Sequence, residues 1–169
     1  LQDAVPMTLG QSFGAFADAM RHEYTRIKKA ADELFIHNMG ATAIGTGITA
    51  EPGYAEYCDE FIREISGLNM KLARNLVEAT HDTSSMVAYS SALKSCAIRL
   101  SKICNDLRLM GSGPRTGLQE INLPPKQPGS SIMPGKVNPV IPEVVNQVCF
   151  KVIGNDMTVT MAAEAAQLE

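Results

Sequence analysis

The chain has 169 residues, of which 45% are apolar and 20% charged, with a formal net charge of −3. These are the values of a globular, core-forming chain; there is no basic footprint for nucleic acid and no run of about 18 apolar residues to span a membrane. The four cysteines, Cys58, Cys96, Cys104 and Cys149, form no C-x-x-C pair and read as reduced, buried thiols of a cytoplasmic protein rather than a disulfide framework.

Residues 8–38 predict a first long helix. Phe13, Phe16, Met20, Tyr24, Ile27, Ala31 and Leu34 recur every three or four positions, a stripe near the heptad period. Residues 40–53 form a Gly- and Thr-rich loop. Its run Gly40-Ala41-Thr42-Ala43-Ile44-Gly45-Thr46-Gly47 lacks the lysine of a phosphate loop and follows a helix, so it reads as a close-packed connection between helices. A shorter helix is predicted over 54–66 and stopped by Gly67, and residues 76–79 add a turn. A second long helix is predicted over 84–110, where Met86, Tyr89, Leu93, Cys96, Leu100, Ile103, Leu107 and Met110 alternate in threes and fours. Residues 111–137 hold five prolines and five glycines, which excludes regular structure. The third long helix takes Asn138 as N-cap and Pro139 as its first residue. It carries a Val144, Val148, Val152 stripe and runs on through the helix-forming residues 160–169. No strand and no internal repeat is predicted. Leu1 is no start methionine and the far end has no helix stop, so the chain reads as a central piece of something longer. The fold class expected is all-α: an elongated bundle of long helices spanning 1–169, with a Gly/Pro-rich loop at 126–139. A helix of 27 residues is about 40 Å long and needs partners of similar length, within the chain or from other subunits.

The chemistry is concentrated at Pro128-Gly129-Ser130-Ser131-Ile132-Met133-Pro134-Gly135-Lys136-Val137-Asn138-Pro139. Two hydroxyls lie between glycines, and a lysine and an asparagine lead into a helix. A helix N-terminus offers unpaired N–H groups and a positive dipole end. With Lys136 and Asn138 beside it, it forms a cradle for a carboxylate. Glu143, one turn further, is read either as a benign first-turn carboxylate or as an orienting group. His22, His37 and His81 are scattered and read as exposed or structurally satisfied. No His, Cys, Asp or Glu set has metal-ligand spacing. Met133 fills the last position of a would-be G-x-S-x-G, so no serine-hydrolase elbow is present.

The run Gly129 to Pro139 resembles the signature of the aspartase/fumarase superfamily of homotetrameric lyases, and the resemblance spans the whole chain. Leu1-Gln2-Asp3-Ala4-Val5-Pro6 resembles the tail of the family's second shared region. Asn38 to Gly47 and Cys104-Asn105-Asp106-Leu107-Arg108-Leu109 match the aspartase and class II fumarase branch. Asn146 to Asp156 and Ala163-Glu164-Ala165-Ala166-Gln167-Leu168 are more similar to the aspartase side. The resemblance implies a carbon–nitrogen lyase that reversibly eliminates ammonia from L-aspartate to give fumarate through an aci-carboxylate, with no cofactor and no metal. It implies Ser130 as the general base, acting as an alkoxide, and Lys136 and Asn138 as carboxylate ligands. Ser131 and Met133 would complete the pocket, and Gly129 and Gly135 would let the loop close. Glu143 matches a carboxylate that, in fumarases, pairs with a histidine of another subunit. The family's site joins three shared regions from three subunits, so this chain alone is expected to be inactive. The partners implied are a small dicarboxylate or amino-acid substrate and further copies of the chain. The alternatives are a class II fumarase or another lyase on this scaffold, and a non-catalytic helical assembly module.

Overall fold

The computed structural model describes residues 2–168; Leu1 and Glu169, the outermost residues of the amino-end resemblance and of the closing helix-forming run, lie outside them. The element order is α1 (Leu9–Glu33), β1 (Ile36–His37), α2 (Tyr54–Ser66), β2 (Lys71–Leu72), α3 (Glu78–His81), α4 (Ser84–Met110) and α5 (Val140–Glu164). The class is all-α. α1 starts on a reciprocal cap: Thr8 Oγ1 accepts the Gln11 N–H at 3.2 Å, and Gln11 Oε1 accepts the Thr8 N–H at 2.8 Å. α2 stops where Gly67 turns left-handed at φ 65° and donates its N–H to the Arg63 carbonyl. Both α2 and α4 occupy the spans their sequences predict.

Four expectations need correction. The first helix ends at Glu33, not at 38, because Ile36–His37 leaves it to pair with Lys71–Leu72 in a parallel two-stranded ladder. Lys71 donates its N–H to the Phe35 carbonyl at 2.9 Å, and Ala73 to that of His37 at 2.8 Å. Two-residue strands brought together from 35 positions apart leave no periodicity to read. The turn expected at 76–79 lies at Glu78–His81, where Asn75 Oδ1 accepts the N–H groups of Val77 and Glu78. The third long helix begins at Val140 and ends at Glu164. Asn138 gives it no side-chain cap. Its carbonyl accepts the Val140 N–H at 2.8 Å instead, and the Pro139 carbonyl takes the Glu143 N–H at 3.2 Å.

The last correction concerns α5. Its buried face is Asn146, Cys149 and Asp156, whereas Val144 and Val148 of the expected stripe are exposed. Polar pairing decides the orientation, since a buried amide or carboxylate must find partners, whereas a valine left outside costs only its transfer energy.

Two compact units can be distinguished. One holds the residues up to Tyr24 with Leu93–Asn155, the other Thr25–Ala92 with the residues from Asp156 on. In the first, Ala97, Cys104 and Cys149 form the apolar interior around buried Glu23, Ser101 and Asn146. Arg99 Nε donates to Glu23 Oε1 at 2.7 Å, tying α1 to α4. In the second, Ser90 and Ser91 donate to the buried Asp156 carboxylate at 2.9 and 3.3 Å. His37 and Asp59 meet there at 3.1 Å, so this histidine is structurally satisfied. The close-packed reading of the 40–53 loop also holds: a Cβ on Gly45 would run into the backbone of Leu76 and Val77. Among the described residues no helix is long and apolar enough to cross a membrane.

Candidate active site

Residues 111–139 contain no helix or strand, yet the serine loop is ordered by its own bonds. Ser130 donates its N–H to the Lys136 carbonyl at 3.0 Å, and Lys136 donates its own to the Met133 carbonyl at 3.0 Å. Gly135 sits between at φ 84°, a left-handed conformation suited to glycine. Gly129 is not left-handed, and a Cβ there would come no nearer than 3.5 Å to the Lys136 carbonyl. Inside this turn the Ser130 hydroxyl oxygen accepts two backbone N–H groups, from Ile132 at 3.2 Å and from Met133 at 3.1 Å. Two donors therefore converge on the oxygen that an alkoxide would occupy.

Beside the loop opens a cleft of about 790 Å³. Gly135, Lys136, Asn138 and Glu143 line it, together with Arg108 and Asn122. Three of the expected polar groups, Lys136, Asn138 and Glu143, thus share one space. Gly129, Ser130, Ser131 and Met133 do not line it; Ser130 is half-buried in its turn, and Ser131 and Met133 are exposed. The side chains of Lys136, Asn138 and Glu143 are all available to a ligand, since none is taken up by another group among the described residues. Ser112, which also lines the cleft, donates its Oγ–H to the Leu109 carbonyl at 2.6 Å and accepts the Leu118 N–H at 3.1 Å. This folds 111–118 so tightly that a Cβ on Gly117 would strike Ser112.

Sequence reasoning missed the polar network that holds one lining residue, Arg108. Arg108 Nη1 donates to Asn146 Oδ1 at 3.1 Å. Asn146 Nδ2 in turn donates to the Ser101 carbonyl at 3.1 Å and to Ser101 Oγ at 2.8 Å. The only available signal was a basic residue in the last turn of α4 and an asparagine three positions after Glu143. Next to this network burial pushes the Cys104 thiol up, helped by the neighbouring Cys149 and opposed by Arg108. Burial also raises Cys149, against a hydrogen bond from Ser101. Among the described residues no three His, Cys, Asp or Glu side chains gather as metal ligands.

The chain is all-α, with a serine turn beside a cleft that two cations and one carboxylate line. The profile of the lyase family matches residues 1–154, and the chain belongs to that family, within the aspartase/fumarase superfamily. Aspartate ammonia-lyase of Corynebacterium glutamicum is 62% identical over 169 residues, covering 100% of this chain and 32% of that protein. Aspartate ammonia-lyase of Escherichia coli K12 is 58% identical over 169 residues, again covering the whole chain and 35% of the relative. Among solved structures, a fumarate lyase:delta crystallin of Brucella melitensis bound to cobalt superposes with a TM-score of 0.95 at 59% identity, over 99% of this chain and 36% of that one. A class II fumarase of Schistosoma mansoni gives the same TM-score at 33% identity, over 99% and 38%. The chain spans about a third of the length of the curated relatives it matches.

Proposed function

We propose that the full-length protein is a cytoplasmic, homotetrameric carbon–nitrogen lyase that reversibly eliminates ammonia from L-aspartate to give fumarate. The observation that carries the substrate choice is identity: 58–62% with aspartate ammonia-lyases over the whole chain, against 33% with a class II fumarase.

The residues present suit the chemistry. The Ser130 alkoxide takes a proton from the carbon next to one carboxylate, and the electron pair moves into that carboxylate as the dianionic aci form. The pair returns to make the carbon–carbon double bond as the neighbouring C–N bond breaks and ammonia leaves. A hydroxyl is a weak base unless its anion is stabilised. The N–H groups of Ile132 and Met133 on Ser130 Oγ supply part of that stabilisation, as oxyanion-hole donors do. Lys136 and Asn138 hold the carboxylate that gains charge, with Ser131 and Met133 completing the pocket when the loop closes over substrate and excludes water. Glu143 orients a group brought by another subunit. A fumarate absorbance assay on the full-length protein tests this reading. Fumarate from aspartate is expected. Turnover of malate alone would make it a fumarase, and a folded tetramer that turns over neither would make it an assembly module.

A further inference from the structure

Gln119 lines the cleft with Gly113, Pro134, Gly135 and Lys136, and its backbone is out of character for its residue type. It lies at φ 48°, in the left-handed region that glycine adopts freely and a residue with a Cβ enters at a cost. Two main-chain bonds hold it there. Gln119 donates its N–H to the Ser112 carbonyl at 2.9 Å, and Glu120 donates its own to the Met110 carbonyl at 2.8 Å. Neither bond needs a side chain at 119, so glycine would close the same turn without strain. The chain places a carboxamide there instead, at a strained position beside a site.

Among the described residues that carboxamide makes no hydrogen bond. Its oxygen lies beside Gly113: a Cβ on that glycine would be 3.5 Å from Gln119 Oε1. The serine loop carries groups that match it. The internal bonds of the loop use the N–H groups of Ser130 and Lys136 and the carbonyls of Met133 and Lys136. The N–H and carbonyl of Gly135 take part in none of them. Gly135 is left-handed at φ 84°, and nothing stands within 4 Å of where its Cβ would be. Its backbone is therefore open to an approaching group. A carboxamide offers an acceptor oxygen and two N–H donors, the complement of a peptide N–H and carbonyl. Being neutral, it does this without changing the charge of the cleft.

We infer that Gln119 is a positioning residue, the catch that receives Gly135 when the serine loop closes, and that its strained backbone presets the carboxamide for that contact. It acts through the loop that carries Ser130 and Lys136, not on the substrate. The inference rests on the reading that this loop closes over a carboxylate substrate, and one of its two tests needs no turnover.

Gln119→Gly separates the catch from the fold. It removes the carboxamide and relieves the strain, while the freedom that glycine adds to the unfolded chain offsets that relief. The full-length variant should therefore keep its melting temperature, while kcat/KM for aspartate falls about 5- to 30-fold, the loss of one or two neutral hydrogen bonds. Gln119→Asn keeps a carboxamide on a residue type that tolerates the left-handed region and should recover part of the loss. Hydrogen–deuterium exchange at saturating succinate, a dicarboxylate with no leaving group, reads the contact itself. Succinate should slow exchange of the peptide bearing Gly135 in wild-type enzyme and leave it unchanged in Gln119→Gly. The role is overturned by a glycine variant with kcat/KM within about twofold of wild type, or by a melting temperature that falls with the activity. Succinate protection that is missing from wild type, or equal in the variant, overturns it as well. If wild-type enzyme turns over malate and not aspartate, the proposed function falls, while the exchange difference still decides on Gln119.

Discussion

At Ser130 the two bonds that order the turn would also serve the proposed chemistry. The hydroxyl oxygen closes its turn by accepting the Ile132 and Met133 N–H groups, and those donors would hold a negative charge on that oxygen. Ser130→Ala in the full-length enzyme removes the proposed base and is expected to lower kcat by a factor of about 10² to 10⁴. The half-buried turn loses about 1 kcal/mol of local hydrogen bonding, so the melting temperature should fall by a few degrees at most. Stopped assays of fumarate release beside a thermal melt separate the two effects, and retention of more than a tenth of kcat would take the role away from Ser130. The sequence singles out this residue because Gly129 to Pro139 is contiguous, and residue types in that order suggest the proposed chemistry without knowledge of the fold. Arg108, Ser101 and Asn146 were not legible as a set. They come from two helices joined by 29 residues without helix or strand, and a buried polar pairing has no period. Hydropathy pointed instead to Val144 and Val148, which lie outside.

The elements divide in the same way. α2 and α4 were legible at both ends because Gly67 and the Gly111-Ser112-Gly113-Pro114 run stop them locally, whereas the β1–β2 ladder depends on a meeting of distant residues. The loop between them shows why its glycines matter. Gly45 has φ 91°, and a Cβ would overlap backbone that cannot yield. Gly67 has φ 65° with open space around it. Gly45→Ala therefore combines left-handed strain with overpacking, about 2 kcal/mol or more together, while Gly67→Ala meets the strain alone, about 1 kcal/mol. Thermal melts of the two full-length variants should rank Gly45→Ala clearly below Gly67→Ala, and equal melts would mean that the 40–53 connection rearranges freely. The α4–α5 pair makes a pH prediction. Cys104 and Cys149 have thiols raised by burial, so the folded protein keeps these protons to higher pH than the unfolded chain does. Their contribution is fully present below the unfolded value of about 8.5 and is lost as pH rises through the raised folded values. Melting temperature should decline more steeply above that pH in the native protein than in a Cys104→Ala, Cys149→Ala double variant. Identical slopes would show that these thiols already titrate normally.

For the whole molecule the question is how much surface the chain covers by itself. Large apolar side chains lie on its surface: Tyr57, Phe61 and Ile65 of α2 and Phe150, Met157 and Met161 of α5 are all exposed. Fully buried large side chains are scarce; among the described residues Glu23 alone qualifies, and it is held by Arg99. Apolar surface on this scale is an association site, and at about 25 cal/mol per Å² its burial outweighs what one small interior supplies. The relatives are about three times longer, and in the full-length protein the rest of the chain and neighbouring subunits are the expected cover. Expressed alone, these 169 residues should self-associate or lose fixed packing, and should release no fumarate from aspartate, because the Ser130 loop and the Lys136 cleft then lack the other site regions that the family resemblance implies. Light scattering on the purified chain, with a fumarate absorbance assay beside it, reads both outcomes. A stable, well-packed monomer would mean that the exposed faces of α2 and α5 need no partner, and measurable turnover would mean that Ser130, Lys136 and Asn138 suffice with what this chain provides.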